Sequence, residues 1–441
     1  MHFLERRFAL VAHGTTVKTE IVAGVTTFLT MAYIIFVQPA VLSAAGMDFG
    51  AVLTATCLAT ALATTLMALM ANYPIAVAPG MGHNFFFAYS VVIGMKVPWR
   101  VALGGVAIAG VVFILTAGVG LRERLITAIP ASIKHAIAAG IGLLIATIGL
   151  QWSGLIVASP GTLVTLGNVH SPPVLLAVAG LTLTAILVAR RVPGAFLWGI
   201  LASTLIGLRL GLVAYHGVVS TPPSIAPTLL QLDITGVFAP AMIPVVFVFF
   251  FLALFDSVGT LVGVASQAGL MRDGTLPGAR QALLADAIGT VAGAALGSST
   301  VTAYIESGAG VAAGGRTGLT SLVTAALFLI SLFFYPLVRM IGGGYVSGTA
   351  TYYPVIAPPL ILVGTMMIGG LRHLEWDDPT EAVPAFLTLI IMPLSVSITE
   401  GVAFGLLSYA ILKLASGRGR EVHPLIYVFA VLFLGRYMFL R

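Results

Sequence analysis

Apolar runs of roughly twenty residues recur from one end of the chain to the other, each long enough to cross a bilayer as a helix. Short breaks rich in Gly, Pro or charge separate them. The pattern predicts spans at 19–40, 50–71, 75–94, 99–119, 131–150, 172–189, 194–214, 239–266, 281–297, 300–314, 318–338, 353–370, 382–396 and 399–415. A shorter apolar tail follows at 424–440. Two of the fourteen runs do not read as plain helix. Pro74 and Pro79 disfavour helix at the start of the third, and the β-branched residues around Thr300–Thr302 favour strand at the start of the tenth.

Composition agrees: of 441 residues, 59% are hydrophobic and only 8% charged, where a soluble domain carries about a quarter. The fold class is therefore an all-α polytopic membrane protein. The first residues, Met1 to Ala12, read as an interfacial amphipathic lead-in. Cys57, the single cysteine, excludes an internal disulfide. The formal charge of +6 concentrates in alternate loops and sets topology, so it is no sign of nucleic-acid binding. One set of loops holds Arg122, Arg124, Arg190, Arg191, Arg272, Arg280, Arg316, Arg372, Lys413, Arg418 and Arg420. The opposite set holds little beyond Lys96, Arg100 and Arg339. By the positive-inside rule both ends of the fourteen-span core are cytoplasmic, and the short tail is expected at the cytoplasmic face.

Two inverted repeats of seven spans fit this charge pattern. Pro39–Met47 lies against Val262–Leu270 at an offset of 223 residues, which sets Tyr33 opposite Asp256. Tyr73–Gly82 and Thr300–Gly308 are both extended-looking pieces that open into glycine. Non-helical backbone at membrane depth survives only where protein or a watery cavity satisfies it. One broken segment per half therefore points to a central binding site.

The candidate chemistry gathers there. Asp256 shares a helix face with Gly259, Thr260 and Gly263, a polar and small stripe fit for lining a cavity. Glu306 follows the second break, where a half-helix N-terminus eases the burial of charge. His83 and Asn84 stand at the first break, and the histidine reads equally as a structural residue or a proton carrier. Asp286 reads as a structural pair, an interfacial residue or a functional one, and Glu400 as a solvated residue near an outer loop. Thr26, Thr27 and Thr30 line either a cavity or a helix contact. Gly308–Gly314 has the wrong spacing for a dinucleotide loop, and the sequence has neither a Cys/His metal cluster nor a P-loop. No metal and no cofactor is expected.

Several blocks resemble the azaguanine-permease-like branch of the nucleobase–cation symporter-2 family. They are Thr15–Tyr33, Ala71–Gly82, Phe255–Val264, Leu284–Thr290, Tyr304–Thr320, Trp376–Asp378 and Glu381–Thr388. The resemblance implies fourteen transmembrane segments as two inverted seven-segment repeats, with short strands in segments 3 and 10. It implies a core domain of segments 1–4 and 8–11 (1–120 and 237–340) and a gate domain of segments 5–7 and 12–14 (121–236 and 341–441). It further implies a substrate site of Asp256, Glu306, Asn84, Phe85, Ile305 and Thr260, with proton coupling through Asp256 and Glu306. The branch usually reads Gly-Leu-Asn-Ala-Phe-Phe in segment 3, whereas this chain has Gly82-His-Asn-Phe-Phe-Phe87.

The implied activity is import of purine nucleobases with protons across the plasma (inner) membrane, without catalysis. An ionised Glu306 suits the N1–H edge of guanine and hypoxanthine better than adenine. The alternatives are a uracil or xanthine carrier of the same architecture, and a membrane-embedded enzyme with Asp256 and Glu306 as an acid/base pair. Its partners would be a purine nucleobase, a proton and the lipid bilayer; a homodimer is open to it, and the oligomeric state stays open.

Overall fold

The computed structural model describes residues 2–119, 130–271, 276–348 and 350–439. Arg122, Arg124 and Arg272, which count towards the orientation, lie outside the described residues.

Fourteen segments follow the predicted spans closely. Segment 1 is two helices, Val17–Met31 and Ile34–Ala44, with Ala32 and Tyr33 between them. Segments 2, 4, 5 and 6 are Phe49–Met70, Trp99–Val119, Ala131–Trp152 and Pro172–Ala189. Segment 7 is Ala195–Arg209, segment 8 Ile243–Gln267 and segment 9 Ala279–Leu296. Segment 11 opens with Gly318–Ser331, and segments 12, 13 and 14 are built on Ala357–Met367, Pro379–Ser395 and Ile398–Ala415. Side-chain caps start several of them, as where Asp48 Oδ1 accepts the Ala51 N–H at 2.8 Å. By length and composition, eight helices among the described residues can cross a membrane unaided. The other six segments are short, broken or carry internal charge.

Segments 3 and 10 are the broken ones. Each starts as a three-residue strand, β1 (Val77–Pro79) and β2 (Val301–Ala303), and continues as a short helix, Met81–Phe85 or Ser307–Ala312. In segment 3 a π-helix, Phe86–Gly94, follows. The strands pair antiparallel with Ala78 opposite Thr302, and Gly80 N–H to Thr300 O (3.0 Å) and Tyr304 N–H to Ala76 O (2.9 Å) extend the ladder. Two threonines hold the outer edges. Thr64 of segment 2 bonds the Val77 carbonyl at 2.9 Å, and Thr290 of segment 9 bonds the Val301 carbonyl at 2.8 Å.

That equivalence runs through the whole molecule. Segment 2 packs on 11 as 9 packs on 4, segment 1 on 11 as 8 on 4, and segment 5 on 13 as 12 on 6. Segments 2 and 9, segments 5 and 12, and the two strands meet their own counterparts. This is the pattern of two inverted seven-segment repeats. Glycines set the closest crossings. A Cβ on Gly24 would sit 2.6 Å from the Thr320 carbonyl oxygen, and one on Gly142 would sit 2.8 Å from that of Gly364.

The tail departs from expectation. Pro424–Phe439 is a helix that packs back along segment 14 instead of lying at one face. The Tyr437 hydroxyl reaches Glu400 at the start of segment 14, and Phe429 meets Phe247 of segment 8 with ring centroids 4.2 Å apart. Burial of Ile426, Ala430 and Phe433 along one stripe explains the docking. Glu400 is accordingly half-buried and bonded, not simply solvated. At the other end of segment 14, Lys413 is buried against Glu381 (2.8 Å) and Glu421 (3.1 Å). Beside it Arg418 grips Asp378 at 2.6 Å, and its guanidinium holds that half-buried carboxyl well below the usual carboxylate range.

Candidate functional site

Beside the strand crossing lies a cavity of about 420 Å³. Asp256 and Thr260 line it from segment 8, Ile305 from the second break, His83 from the first, and Lys134 and His135 from segment 5. One helix turn separates Asp256 from Thr260, so both face the same space, as the stripe predicts. The Asp256 side chain is 47% exposed to the cavity. Ile305 is 61% exposed there, which leaves its backbone beside any occupant. Lys134 Nζ stands 5.5 Å from the centre of the Phe255 ring, a cation over an aromatic face at the cavity wall.

Glu306 follows Ile305 and is half-buried at the start of helix Ser307–Ala312. Its Oε1 accepts the Tyr33 hydroxyl at 2.7 Å, and its other oxygen is left for a further donor. Tyr33 itself is almost wholly buried and packs on Phe196 of segment 7, with centroids 5.5 Å apart. Sequence reasoning passed over this tyrosine as a contact to Glu306, although the offset of 223 had already set it opposite Asp256.

His83 is 2% exposed, and its Nδ1 lies 3.9 Å from Asp256 Oδ2. Neither ring nitrogen has a hydrogen-bond partner. Asn84 and Phe85 come one and two residues later on the helix, about 100° and 200° further round, and turn away from the cavity. Both are fully buried. Asn84 Oδ1 accepts the Ser299 hydroxyl, and Phe85 packs against Tyr89 and Trp152 at centroid distances of 5.8 and 6.3 Å. The structure thus brings Asp256, Thr260, Ile305 and Glu306 together and sets Asn84 and Phe85 behind them.

Asp286 is fully buried and not interfacial. It accepts the Ser257 hydroxyl, which in turn lies 3.0 Å from Thr302 Oγ1 on β2. It ties segments 8 and 9 to the strand crossing. Glu20, not singled out in the sequence, is a second fully buried carboxylate. It accepts Arg316 N–H (2.9 Å), Thr317 Oγ1 (2.9 Å) and Thr320 Oγ1 (2.7 Å), and so caps segment 11. Thr27 packs on Gly310, and the Thr26 hydroxyl turns back to its own helix backbone, which makes these two packing residues. Thr30 bonds its own helix and reaches the Glu306 carbonyl at 3.4 Å.

At the other end of segment 5 from Lys134, aromatic rings cluster. Trp152 Nε1 donates to the Tyr89 hydroxyl at 3.0 Å, and the rings of Trp152 and Tyr353 lie 4.4 Å apart. Ser90 adds a bond of 2.8 Å to the Val396 carbonyl.

Inverted repeats, two broken segments and a cavity beside them are the architecture of a multi-pass membrane transporter. Comparison with known proteins narrows the class. The chain belongs to the Permease family, whose profile matches residues 18–404. It is 52% identical to a putative permease of Methanocaldococcus jannaschii, covering 100% of this chain and 99% of that one. It is 46% identical to a guanine/hypoxanthine permease of Bacillus subtilis (97% and 98% covered) and 45% identical to an adenine permease of Escherichia coli (99% and 96%). Among solved structures, the transmembrane domain of a cyanobacterium bicarbonate transporter, BicA, superposes with a TM-score of 0.63. It covers 88% of this chain and 97% of that one at 16% identity, so the likeness speaks for the fold alone. The chain is a permease, and the enzyme alternative falls away.

Proposed function

We propose that this permease imports purine nucleobases together with protons across the cytoplasmic (inner) membrane. The observation that carries the reading is the pair of carboxylates at the strand crossing. Asp256 faces the cavity, and Glu306 beside Ile305 keeps one oxygen free of Tyr33. A purine edge carrying adjacent N–H groups bonds such a carboxylate through parallel hydrogen bonds. Relatives named as adenine and as guanine/hypoxanthine permeases support the purine class and do not separate the two. An ionised Glu306 accepts the N1–H of guanine and hypoxanthine, whereas the bare N1 of adenine leaves it unpaired. We therefore favour guanine and hypoxanthine.

Segments 1–4 and 8–11 act as the core domain, segments 5–7 and 12–14 as the gate domain, and transport follows from movement of one against the other. Packing within each group is more extensive than across the seam, which supports this division. The basic loops orient both ends of the fourteen-segment core to the cytoplasm, so the cavity mouth at Lys134 and His135 faces inward. Asp256, the more exposed carboxylate, carries the coupled proton.

Uptake of labelled hypoxanthine by cells expressing the protein tests the reading, with excess guanine or adenine as competitor and a protonophore to collapse the gradient. Accumulation that guanine blocks, adenine spares and the protonophore abolishes is expected. Equal competition by adenine defeats the edge-matching argument, and accumulation indifferent to the protonophore defeats proton coupling.

A further inference from the structure

His83 is a buried titratable side chain with no assigned role and no hydrogen-bond partner, set into the wall of the cavity. Its approach to Asp256 gives it one. The Tyr33 hydroxyl bonds Glu306, and His83 approaches Asp256. Each carboxylate of the site has one buried ring group behind it from the opposite half. For Glu306 the bond is closed at 2.7 Å, and for Asp256 the gap is 3.9 Å.

We propose that His83 is a positioning residue for Asp256, its Nδ1–H closing onto Oδ2 as the Tyr33 hydroxyl closes onto Glu306. This rests on the reading of Asp256 as the proton carrier. Held at Oδ2, the carboxylate presents Oδ1 to the cavity, and the coupled proton is taken up and given back there. The imidazole stays neutral throughout, with its hydrogen on Nδ1. A hydrogen bond to the ionised carboxylate favours that form, so His83 sets the pH at which Asp256 loads its proton.

Other titratable or charged groups surround the pair. Glu306, Tyr304 and Tyr33 approach from the second break and segment 1, and Asp286 from segment 9 behind Ser257. Lys134 and His135 of segment 5 share the cavity, and Tyr89 lies on the π-helix. Arg100, Arg280 and Lys413 stand near the ends of helices that pack on segment 8 or 9.

The test is pH-difference infrared spectroscopy of the purified protein, following the C=O stretch of protonated Asp256, identified by its loss in Asp256→Asn. This readout needs no substrate, so it stands or falls separately from purine uptake by the wild type. In His83→Leu the donor is gone, and the titration midpoint is expected to rise by about one pH unit. In His83→Asn the amide nitrogen takes the place of Nδ1, and the midpoint is expected near that of the wild type. His83→Gln carries its amide past that place and is expected to follow Leu; the Asn–Gln contrast serves if the Leu variant does not reach the membrane. A midpoint that is the same in all four proteins overturns the proposal, as does an Asn variant that shifts as far as Gln.

Discussion

Tyr33→Phe removes one oxygen atom and keeps the ring that packs on Phe196. The lost bond runs to Glu306 Oε1 at 2.7 Å, at a half-buried carboxylate. Hydrogen bonds to charged groups contribute roughly 1.5–3 kcal/mol, and water in the cavity replaces part of that, so the low end applies. About 1.4 kcal/mol is a factor of ten in affinity. The variant is expected to bind hypoxanthine about tenfold more weakly, because Glu306 no longer points its free oxygen at the base. The assay is equilibrium binding of labelled hypoxanthine to purified protein at neutral pH, in wild type, Tyr33→Phe, Glu306→Gln and the double variant. In the Glu306→Gln background, measured at high ligand concentration, the tyrosine change is expected to matter less than about twofold. An unchanged affinity in Tyr33→Phe, or a full tenfold loss in both backgrounds, would show that Tyr33 does not act through Glu306.

Three further outcomes are expected. Asp256→Asn should abolish pH-gradient-driven accumulation while leaving much of equilibrium binding, and equal loss of both counts against its coupling role. Trp152→Phe deletes the 3.0 Å bond to Tyr89 and should favour the outward-open form about fivefold, the effect of a neutral hydrogen bond of about 1 kcal/mol. Faster labelling from outside of a cysteine placed at Gly82 checks this, and an unchanged rate refutes it. Arg418→Gln should lower the thermal midpoint at pH 7. Because Arg418 depresses the Asp378 pKa, its contribution is present above the ordinary carboxylate value of about 4 and fades as pH falls through the depressed one. A deficit in the variant that stays as large at pH 3 as at pH 7 rules this out.

Most of the architecture was legible because a bilayer leaves the backbone few choices. Apolar length marked the spans, and prolines and β-branched residues marked the two strands. Asp256, Thr260 and Glu306 stand out in the sequence as polar groups in an apolar chain, Ile305 comes only from the resemblance, and the structure sets all four near the strand crossing. What stayed hidden depended on rotation or distant partners. Asn84 and Phe85 lie beside His83 in sequence but face the other way on a single helical turn. Asp286 stays ambiguous and Glu20 passes unremarked until Ser257 and the start of segment 11, about 300 residues from Glu20, are set against them. Tyr33 reads as core by type and burial; only its partner shows otherwise. The tail helix was read by length alone, which says nothing of the groove it fills.

The glycine crossings give the molecule a mechanical character. At Gly24 and Gly142 the neighbour is backbone from another segment of the same bundle, and at Gly318 it is the Ala68 main chain; such contacts cannot yield without moving a whole helix. Between segments 3 and 5 the tight contact at Gly82 is with the Ile141 Cγ2 methyl. Methyl groups swing aside by rotamer changes that cost little beside a helix displacement. On the proposed division into core and gate, the backbone contacts at Gly24, Gly142 and Gly318 resist deformation within each bundle, while the Gly82–Ile141 contact between segments 3 and 5 yields to a rotamer change, an asymmetry that favours sliding there.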